Sequence, residues 1–291
     1  MNTLVEAWTA ARDRLKAAHI DTPVIDARVL VEAASGATRA DLLADPRRPL
    51  TSEQVERLDG YLARRERREP ISYILGRKGF WNIMLHVGPQ VLTPRPETEQ
   101  LVSAALEAFP PERRFSVLDL GVGSGAIVLA ILAERPAARG LGVDVSEDAL
   151  AVARENAASL GLAGRLALLR GDWTAGLDDE GFDLVVANPP YVRSGEIAAL
   201  DPEVRDYEPR LALDGGADGL DAYRRLAPEM LRVLKPGGRL LVEIGHDQAK
   251  DVLALLDAAG GVDLSVLKDF SGRDRIVSGS KKPLGISVNN R

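Results

Sequence analysis

The apolar positions of this chain keep a single period up to about residue 70 and change it repeatedly afterwards. Up to about Glu69 they keep helical spacing: Leu4, Ala7, Trp8, Ala11 and Leu15 recur at i, i+3 and i+4, the stripe of an amphipathic helix. No run in this region alternates as a strand would, so a small helical bundle is expected over 1–75. Thr51 followed three residues later by Gln54 is a capping-box pattern, and it predicts a third helix running through Val55, Leu58, Tyr61 and Leu62 until Pro70 ends it. Between Lys78 and Val87, the apolar residues Phe80, Trp81, Met84, Leu85 and Val87 surround Asn82. That pattern predicts a short hairpin within a linker, 76–90.

After Pro96 short apolar runs alternate with helical stretches, the grammar of a parallel sheet covered on both faces. Strands are expected at Ser116–Leu120, Gly140–Asp144, Leu166–Arg170, Phe182–Ala187, Arg239–Ile244, Val262–Lys268 and Arg275–Gly279. Helices are expected at Ala126–Glu134, Glu147–Leu160, Asp221–Leu234 and Gln248–Ala258, each joining parallel neighbours by a right-handed crossover. The last two strands have no helix between them and should form an antiparallel hairpin at one end of the sheet. The fold class is therefore α/β: a seven-stranded, mostly parallel sheet with helices on both faces over 91–280, preceded by the helical bundle. Residues 281–291 carry Pro and Gly without periodicity and read as a disordered tail.

A length of 291 residues suits two unequal domains, and the 45% hydrophobic and 27% charged fractions are ordinary globular values. A net charge of −6 speaks against wholesale binding to a phosphate backbone. With no cysteine, disulfides, thiolate zinc sites and a cysteine nucleophile are excluded. Glu6, Arg12, Asp13, Arg14 and Lys16 interrupt the N-terminal apolar residues, so there is no signal-peptide core, and no stretch is long enough to span a bilayer. A cytoplasmic protein is expected. His19, His86 and His246 lack any metal-ligand spacing, and no metal is expected. The run Arg64-Arg65-Glu66-Arg67-Arg68-Glu69 mixes its signs and reads as a solvated helix face.

The chemistry gathers at three strand ends. The first strand runs into Asp119-Leu120-Gly121-Val122-Gly123-Ser124-Gly125, where glycines permit positive φ and let backbone approach a ligand. In open α/β sheets ligands bind at such carboxyl ends. The second strand ends at Asp144, placing a carboxylate where ribose hydroxyls could be held. The glycine spacing departs from the dinucleotide fingerprint G-x-G-x-x-G and favours a nucleoside without a pyrophosphate, such as S-adenosylmethionine. The plainer alternative is a tight βα turn with Asp144 capping the next helix. The third strand ends in Gly171-Asp172-Trp173: Asp172 could accept from an adenine amino group and Trp173 could cover the ring, or both could belong to the rim and core.

The fourth strand ends in Asn188-Pro189-Pro190-Tyr191, a set of groups suited to gripping a planar, conjugated NH2. Such a nitrogen is a poor nucleophile, so positioning supplies most of the catalysis. The Asn188 side-chain oxygen and the Pro189 carbonyl can each accept one N–H, which reduces delocalisation of the nitrogen lone pair and offsets the positive charge that develops on transfer. Tyr191 can stack on the flat acceptor. The candidate catalytic residues are Asn188, Pro189 and Tyr191; no general base is needed, because the proton leaves after the nitrogen has become cationic. Glu243, at the end of a buried strand, is placed to hydrogen-bond nearby or to serve structure alone.

These strings resemble those of the release factor glutamine methyltransferases, the HemK/PrmC family, over nearly the whole length. The resemblance rests on Thr93-Pro94-Arg95-Pro96-Glu97-Thr98-Glu99, Asp119 to Ala126, Gly171-Asp172-Trp173, Asn188 to Tyr191, Tyr207-Glu208-Pro209-Arg210-Leu211-Ala212-Leu213, Asp218-Gly219-Leu220, Glu243-Ile244-Gly245 and Gly272-Arg273-Asp274-Arg275. The asparagine tetrapeptide is shared with amino-methyltransferases of DNA and RNA; the first and fifth strings make the match specific. Val122 stands where Thr or Cys is common, and Ser271 where Gly is common.

The resemblance implies a class I S-adenosylmethionine-dependent fold and, as substrate, the glutamine of the Gly-Gly-Gln motif in class I peptide-chain release factors. It implies that the helical domain helps hold the release factor. It also implies cofactor contacts through Gly121, Val122, Gly123, Ser124, Gly125, Asp144, Asp172, Trp173 and Asn188, with Asn188, Pro189, Pro190, Tyr191 and Glu97 on the substrate side. An adenine-N6 nucleic-acid methyltransferase would use the same tetrapeptide, but the chain is acidic and shows no second basic domain, so no DNA binding is expected. A non-catalytic scaffold is disfavoured by intact Gly121, Asp144 and Asn188, and a nicotinamide dehydrogenase by the glycine spacing.

Overall fold

The structure, a computed structural model, describes residues 3–269 and 271–284. It divides into two compact units, one made of the chain up to Gly76 together with Asp201–Tyr207, the other of Arg77–Leu200 and the chain from Glu208 onward. In the first unit α1 (Leu4–Ala17), α2 (Pro23–Ser35), α3 (Arg39–Ala44), α4 (Ser52–Glu66) and α5 (Ile71–Leu75) follow one another. The predicted stripe is the core: Leu4, Ala7, Ala11 and Leu15 are fully buried with Leu30, Val31, Leu58 and Leu62. The capping box forms as expected, Thr51 Oγ1 accepting from the Gln54 amide at 3.2 Å and Gln54 Oε1 from the Thr51 amide at 3.0 Å. Two expectations are corrected. The short α3 makes the capped helix the fourth, and it stops at Glu66, well before Pro70, which instead precedes α5.

In the second unit β1 (Arg77–Phe80) and β2 (Ile83–His86) form the expected hairpin, with Phe80 opposite Ile83. Then come α6 (Glu99–Ala108), β3 (Ser116–Leu120), α7 (Ala126–Glu134), β4 (Arg139–Asp144), α8 (Glu147–Ser159), β5 (Leu166–Arg170) and β6 (Phe182–Ala187). After the short α9 (Pro202–Arg205), which packs with the first unit, follow α10 (Asp221–Val233), β7 (Leu234–Glu243), α11 (Ala249–Ala258), β8 (Gly261–Lys268) and β9 (Asp274–Lys281). The seven-stranded sheet has the order β5-β4-β3-β6-β7-β9-β8. Its first five strands are parallel, and β9 is antiparallel to both β7 and β8.

This is the expected α/β class, and its central strands are apolar on both faces because helices cover both: Leu184, Val185, Val186 and Ala187 are all fully buried. The crossover expected for α11 is corrected. Strands β7 and β8 are not neighbours, because β9 turns back from β8 and takes the free edge of β7, where Val242 pairs with Val277. Strand β7 also begins earlier than periodicity suggested: Leu234 pairs with Phe182 before a register shift that brings Arg239 opposite Leu184. The expected tail start is corrected too, since Lys281 closes β9; residues 285–291 lie outside the described residues. Among the described residues no helix is long and apolar enough to cross a membrane.

The strand order turns around between β3 and β6, where successive connections leave toward opposite edges. A crevice opens at such a switch point, beyond the carboxyl ends of the strands. Leu120 and Ala187 are paired there, so the glycine turn and the asparagine tetrapeptide leave the sheet side by side.

Candidate active site

A cleft of about 510 Å³ lies at this switch point, within the second unit. One wall is the glycine turn, whose Gly121, Gly123 and Gly125 all take positive φ (75°, 53° and 83°). A Cβ on Gly121 would sit 3.5 Å from the Trp173 ring, which places the indole directly over the turn. Asp144 braces the turn and the approach to α8 but does not cap that helix, whose N-cap is Ser146. Its Oδ2 accepts from the Gly123 amide and its Oδ1 from the amide of Ser146, the N-cap of α8, each at 2.9 Å. A carboxylate has about four acceptor positions, so both oxygens retain capacity toward the cleft.

Asp172 lines the same wall, and its Oδ2 accepts from Arg225 at 2.8 Å on an exposed rim. Beneath the turn, Asp119 is buried; its Oδ2 accepts from the Val128 amide, while Oδ1 has no hydrogen-bond partner among the described residues. Burial pushes its carboxyl up to about 7 and the nearby Asp144 charge adds to this, against the pull of the Val128 amide.

The opposite wall carries the tetrapeptide. Asn188 is half-buried and its Nδ2 donates to Thr98 Oγ1 at 3.3 Å; Thr98 in turn donates to Glu243 Oε2 at 2.6 Å. With the amide hydrogens turned toward Thr98, the oxygen end is left for a ligand. Glu243 is buried, and burial pushes its carboxyl up to about 7 although Thr98 and the positive Arg275 and Arg95 pull it down.

The Tyr191 ring packs against the core beneath α10, where burial pushes its hydroxyl up to about 12. Its carbonyl is pinned by Gln248, whose Nε2 donates to Tyr191 O at 3.1 Å and to Gly219 O at 3.2 Å, while Oε1 accepts from the Gly245 amide at 2.9 Å. Gly219 has a φ of 78°, and a Cβ there would fall 2.5 Å from the Tyr191 carbonyl oxygen. The backbone behind the tetrapeptide therefore approaches closer than any side chain allows.

The rim is closed by a third polar cluster. Buried Glu208 accepts from Arg95 and from the backbone and hydroxyl of Thr93, and the neighbouring Pro94, Arg95 and Pro209 all line the cleft. Burial raises the Glu208 carboxyl in spite of these partners.

The structure thus gathers Gly121, Val122, Gly123, Ser124, Asp144, Asp172, Trp173, Asn188 and Pro190 around one cleft. Gly125 and Pro189 are buried beside it, and neither they nor Tyr191 and Glu97 belong to its lining; Glu97 is exposed to solvent. Thr98, Gln248 and Arg225 were not among the residues expected at the site, because nothing in the spacing ties Thr98 to Asn188, Gln248 to Tyr191 or Arg225 to Asp172.

Comparison with known proteins covers both units. Residues 6–76 match a family described as the PrmC N-terminal domain, and residues 111–258 match a methyltransferase domain. A release factor glutamine methyltransferase of Caulobacter vibrioides is 62% identical over 97% of this chain and 98% of its own. One from Cereibacter sphaeroides is 49% identical over 94% of this chain and 96% of its own. Among solved structures, a Pyrococcus furiosus methyltransferase superposes with a TM-score of 0.51 at 17% identity, over 68% of this chain and 88% of that one. A T. thermophilus 16S rRNA N2 methyltransferase in complex with AdoMet and guanosine does so with a TM-score of 0.51 at 21% identity, over 71% and 50%. At these identities the superpositions speak for the fold alone.

Proposed function

The chain belongs to the release factor glutamine methyltransferase family, and on that premise we propose that it methylates the side-chain amide nitrogen (N5) of the glutamine in the Gly-Gly-Gln motif of class I release factors, using S-adenosylmethionine. The observation that carries this reading is the shared cleft. The glycine turn with Asp144 on one wall, and Asn188 with its Nδ2 turned to Thr98 on the other, support a nucleoside site beside an amide acceptor site.

The donor set fits the cofactor. Asp144 retains acceptor capacity for ribose hydroxyls, Trp173 offers a flat apolar face, and the glycines leave room that a Cβ would fill. The bound cofactor would supply an electrophilic sulfonium methyl. Asn188 Oδ1 and the Pro189 carbonyl accept the two hydrogens of the glutamine amide, holding its nitrogen in line and favouring a localised lone pair. The nitrogen that takes the methyl would become cationic, and Asn188 Oδ1 and the Pro189 carbonyl would offset that charge until a proton leaves to water. The helical unit supplies binding surface for the release factor, remote from the reacting atom, and that contact holds a weak nucleophile in place. Translation termination sets the location of such an enzyme in the cytoplasm, with no membrane and no DNA partner.

The test uses the whole protein with methyl-labelled S-adenosylmethionine and a purified class I release factor. Mass spectrometry should find the mass of one methylene added to the Gly-Gly-Gln peptide and none after that glutamine is replaced by alanine. Label that persists in the alanine variant, or that a nuclease removes when cell extract is the acceptor, overturns the substrate assignment.

A further inference from the structure

We propose that Thr98 and Glu243 are positioning residues that decide which end of the Asn188 carboxamide faces the acceptor. The inference rests on the amide-gripping reading above and adds to it the question of what sets the rotamer. The two ends of a carboxamide have nearly the same shape, and a half-turn about the last side-chain bond exchanges an acceptor for a donor. An Asn188 that presents NH2 to the NH2 of glutamine meets donor with donor and holds nothing.

Three elements converge to prevent this: Asn188 at the end of β6, Thr98 just before α6, 90 residues earlier, and Glu243 at the end of β7, 145 residues after Thr98. Thr98 has a single hydroxyl proton, and at 2.6 Å it is given to Glu243 Oε2. Its oxygen can then only accept from Asn188, so Nδ2 turns inward and Oδ1 outward. Thr98 and Glu243 are 4% and 1% exposed, so water has little access to substitute for either partner. Were Glu243 neutral, its own O–H could donate to Thr98, the Thr98 proton could swing to Asn188 Oδ1, and the carboxamide would turn over.

The charge on Glu243 therefore selects the orientation. The groups facing it are Arg275 of β9, Arg95 and Glu97 of the segment before α6, and the phenols of Tyr191 and of Tyr223 in α10; Tyr223 donates to the Glu243 backbone carbonyl at 2.9 Å. Burial outweighs the two arginines and places the carboxyl at about 7, so protonation falls within the working range. Asp119 titrates in the same range but lies under the glycine turn, and its protonation should act on cofactor affinity rather than on turnover.

The test compares Thr98→Val, Thr98→Ser, Glu243→Gln and Asn188→Ala, with kcat and KM for an intact release factor and cofactor affinity by calorimetry. Thr98→Val should lower kcat by about 10- to 100-fold, with KM and cofactor affinity little changed, and Thr98→Ser should restore most of the loss. In the unaltered protein kcat should fall below about pH 7, and Glu243→Gln, which cannot ionise, should flatten that limb at a reduced rate. If Asn188→Ala is inactive while Thr98→Val turns over normally, or if Glu243→Gln keeps the acid limb, the relay is wrong and the amide grip stands. If Asn188→Ala itself turns over normally, the grip fails and the relay with it.

Discussion

The Arg95 guanidinium lies 2.5 Å from the carboxylate of Glu208, 113 residues further along the chain, and so ties together the two segments that rim the cleft. Glu208 is buried whereas Arg95 is one-third exposed, which makes the pair unequal. Removing the arginine leaves a desolvated carboxylate held only by Thr93; removing the charge of Glu208 leaves an arginine that can reach water. Arg95→Ala should therefore destabilise the fold by about 1–3 kcal/mol and Glu208→Gln by less, with the double variant milder than the sum. Denaturant unfolding of the three proteins measures this.

Gly219→Ala should injure turnover more than folding. The added methyl meets the Tyr191 carbonyl and Gln248 Nε2, at 2.5 and 2.6 Å, and the left-handed φ adds strain of about 1–2 kcal/mol. The least costly relief is to shift the tetrapeptide, and a misplacement of about 1 Å at a reacting group can cost on the order of 100-fold in rate. A normal kcat in a folded variant would mean the tetrapeptide is not held from behind.

Asp144→Ala should weaken S-adenosylmethionine and its demethylated product alike, by about 2–3 kcal/mol, through loss of hydrogen bonds to a carboxylate. The same change also frees the Gly123 and Ser146 amides, now held at 2.9 Å each. Asp144→Asn, which can still accept from one of them, should lose less. Calorimetry separates the two, and equal affinity in both variants and the parent would remove Asp144 from the ribose.

Asp119 makes the unliganded protein pH-sensitive in a direction opposite to that of a salt-bridged carboxylate. Its folded value of about 7 lies above the ordinary 3.8, so between roughly pH 4 and 7 the folded state keeps a proton that the unfolded state has shed. Stability should be full below that window, decline as pH rises through it and level off above. Asp119→Asn can keep the bond from Val128 without ionising and should flatten much of the decline, a difference of a few kcal/mol at pH 8. Glu243, raised to about 7 as well, leaves a residual slope in the variant. Thermal unfolding midpoints across pH 5 to 8 would show it.

Strands β3, β5 and β6 begin and end at the residues that apolar runs and turn residues predicted, because each is a short apolar run, buried in β3 and β6 and at the sheet edge in β5, whose limits are set by local composition. The order of β7, β9 and β8 was not legible in that way. It depends on which free edge the last hairpin takes, a choice made between residues far apart in sequence, as where Leu240 meets Gly279. The same holds at the cleft. The glycine turn, Asp144 and Asn188 stand at strand ends and could be read from position alone. Thr98 reaches Glu243, Gln248 reaches Tyr191 and Arg95 reaches Glu208 through hydrogen bonds spanning 145, 57 and 113 residues, and no periodicity encodes such a partner.

The return of Asp201–Tyr207 to the helical unit bears on how the protein can be dissected. Glu203 is held there by Arg65 at 2.9 Å and Arg68 at 3.1 Å, Arg65 is paired with Asp26 at 2.8 Å, and the Tyr207 hydroxyl donates to the Arg67 carbonyl at 2.6 Å. A fragment begun at Arg77 would carry this stretch without the arginines that neutralise it, strung between Leu200 and the buried Glu208 at the cleft rim. The polypeptide is thus not modular in the way its family matches suggest, as two beads that scissors could part. A deletion meant to remove only recognition would unmoor the loop between the asparagine tetrapeptide and Glu208, so point changes on the exposed faces of α1 to α4 are the cleaner way to ask what the helices contribute.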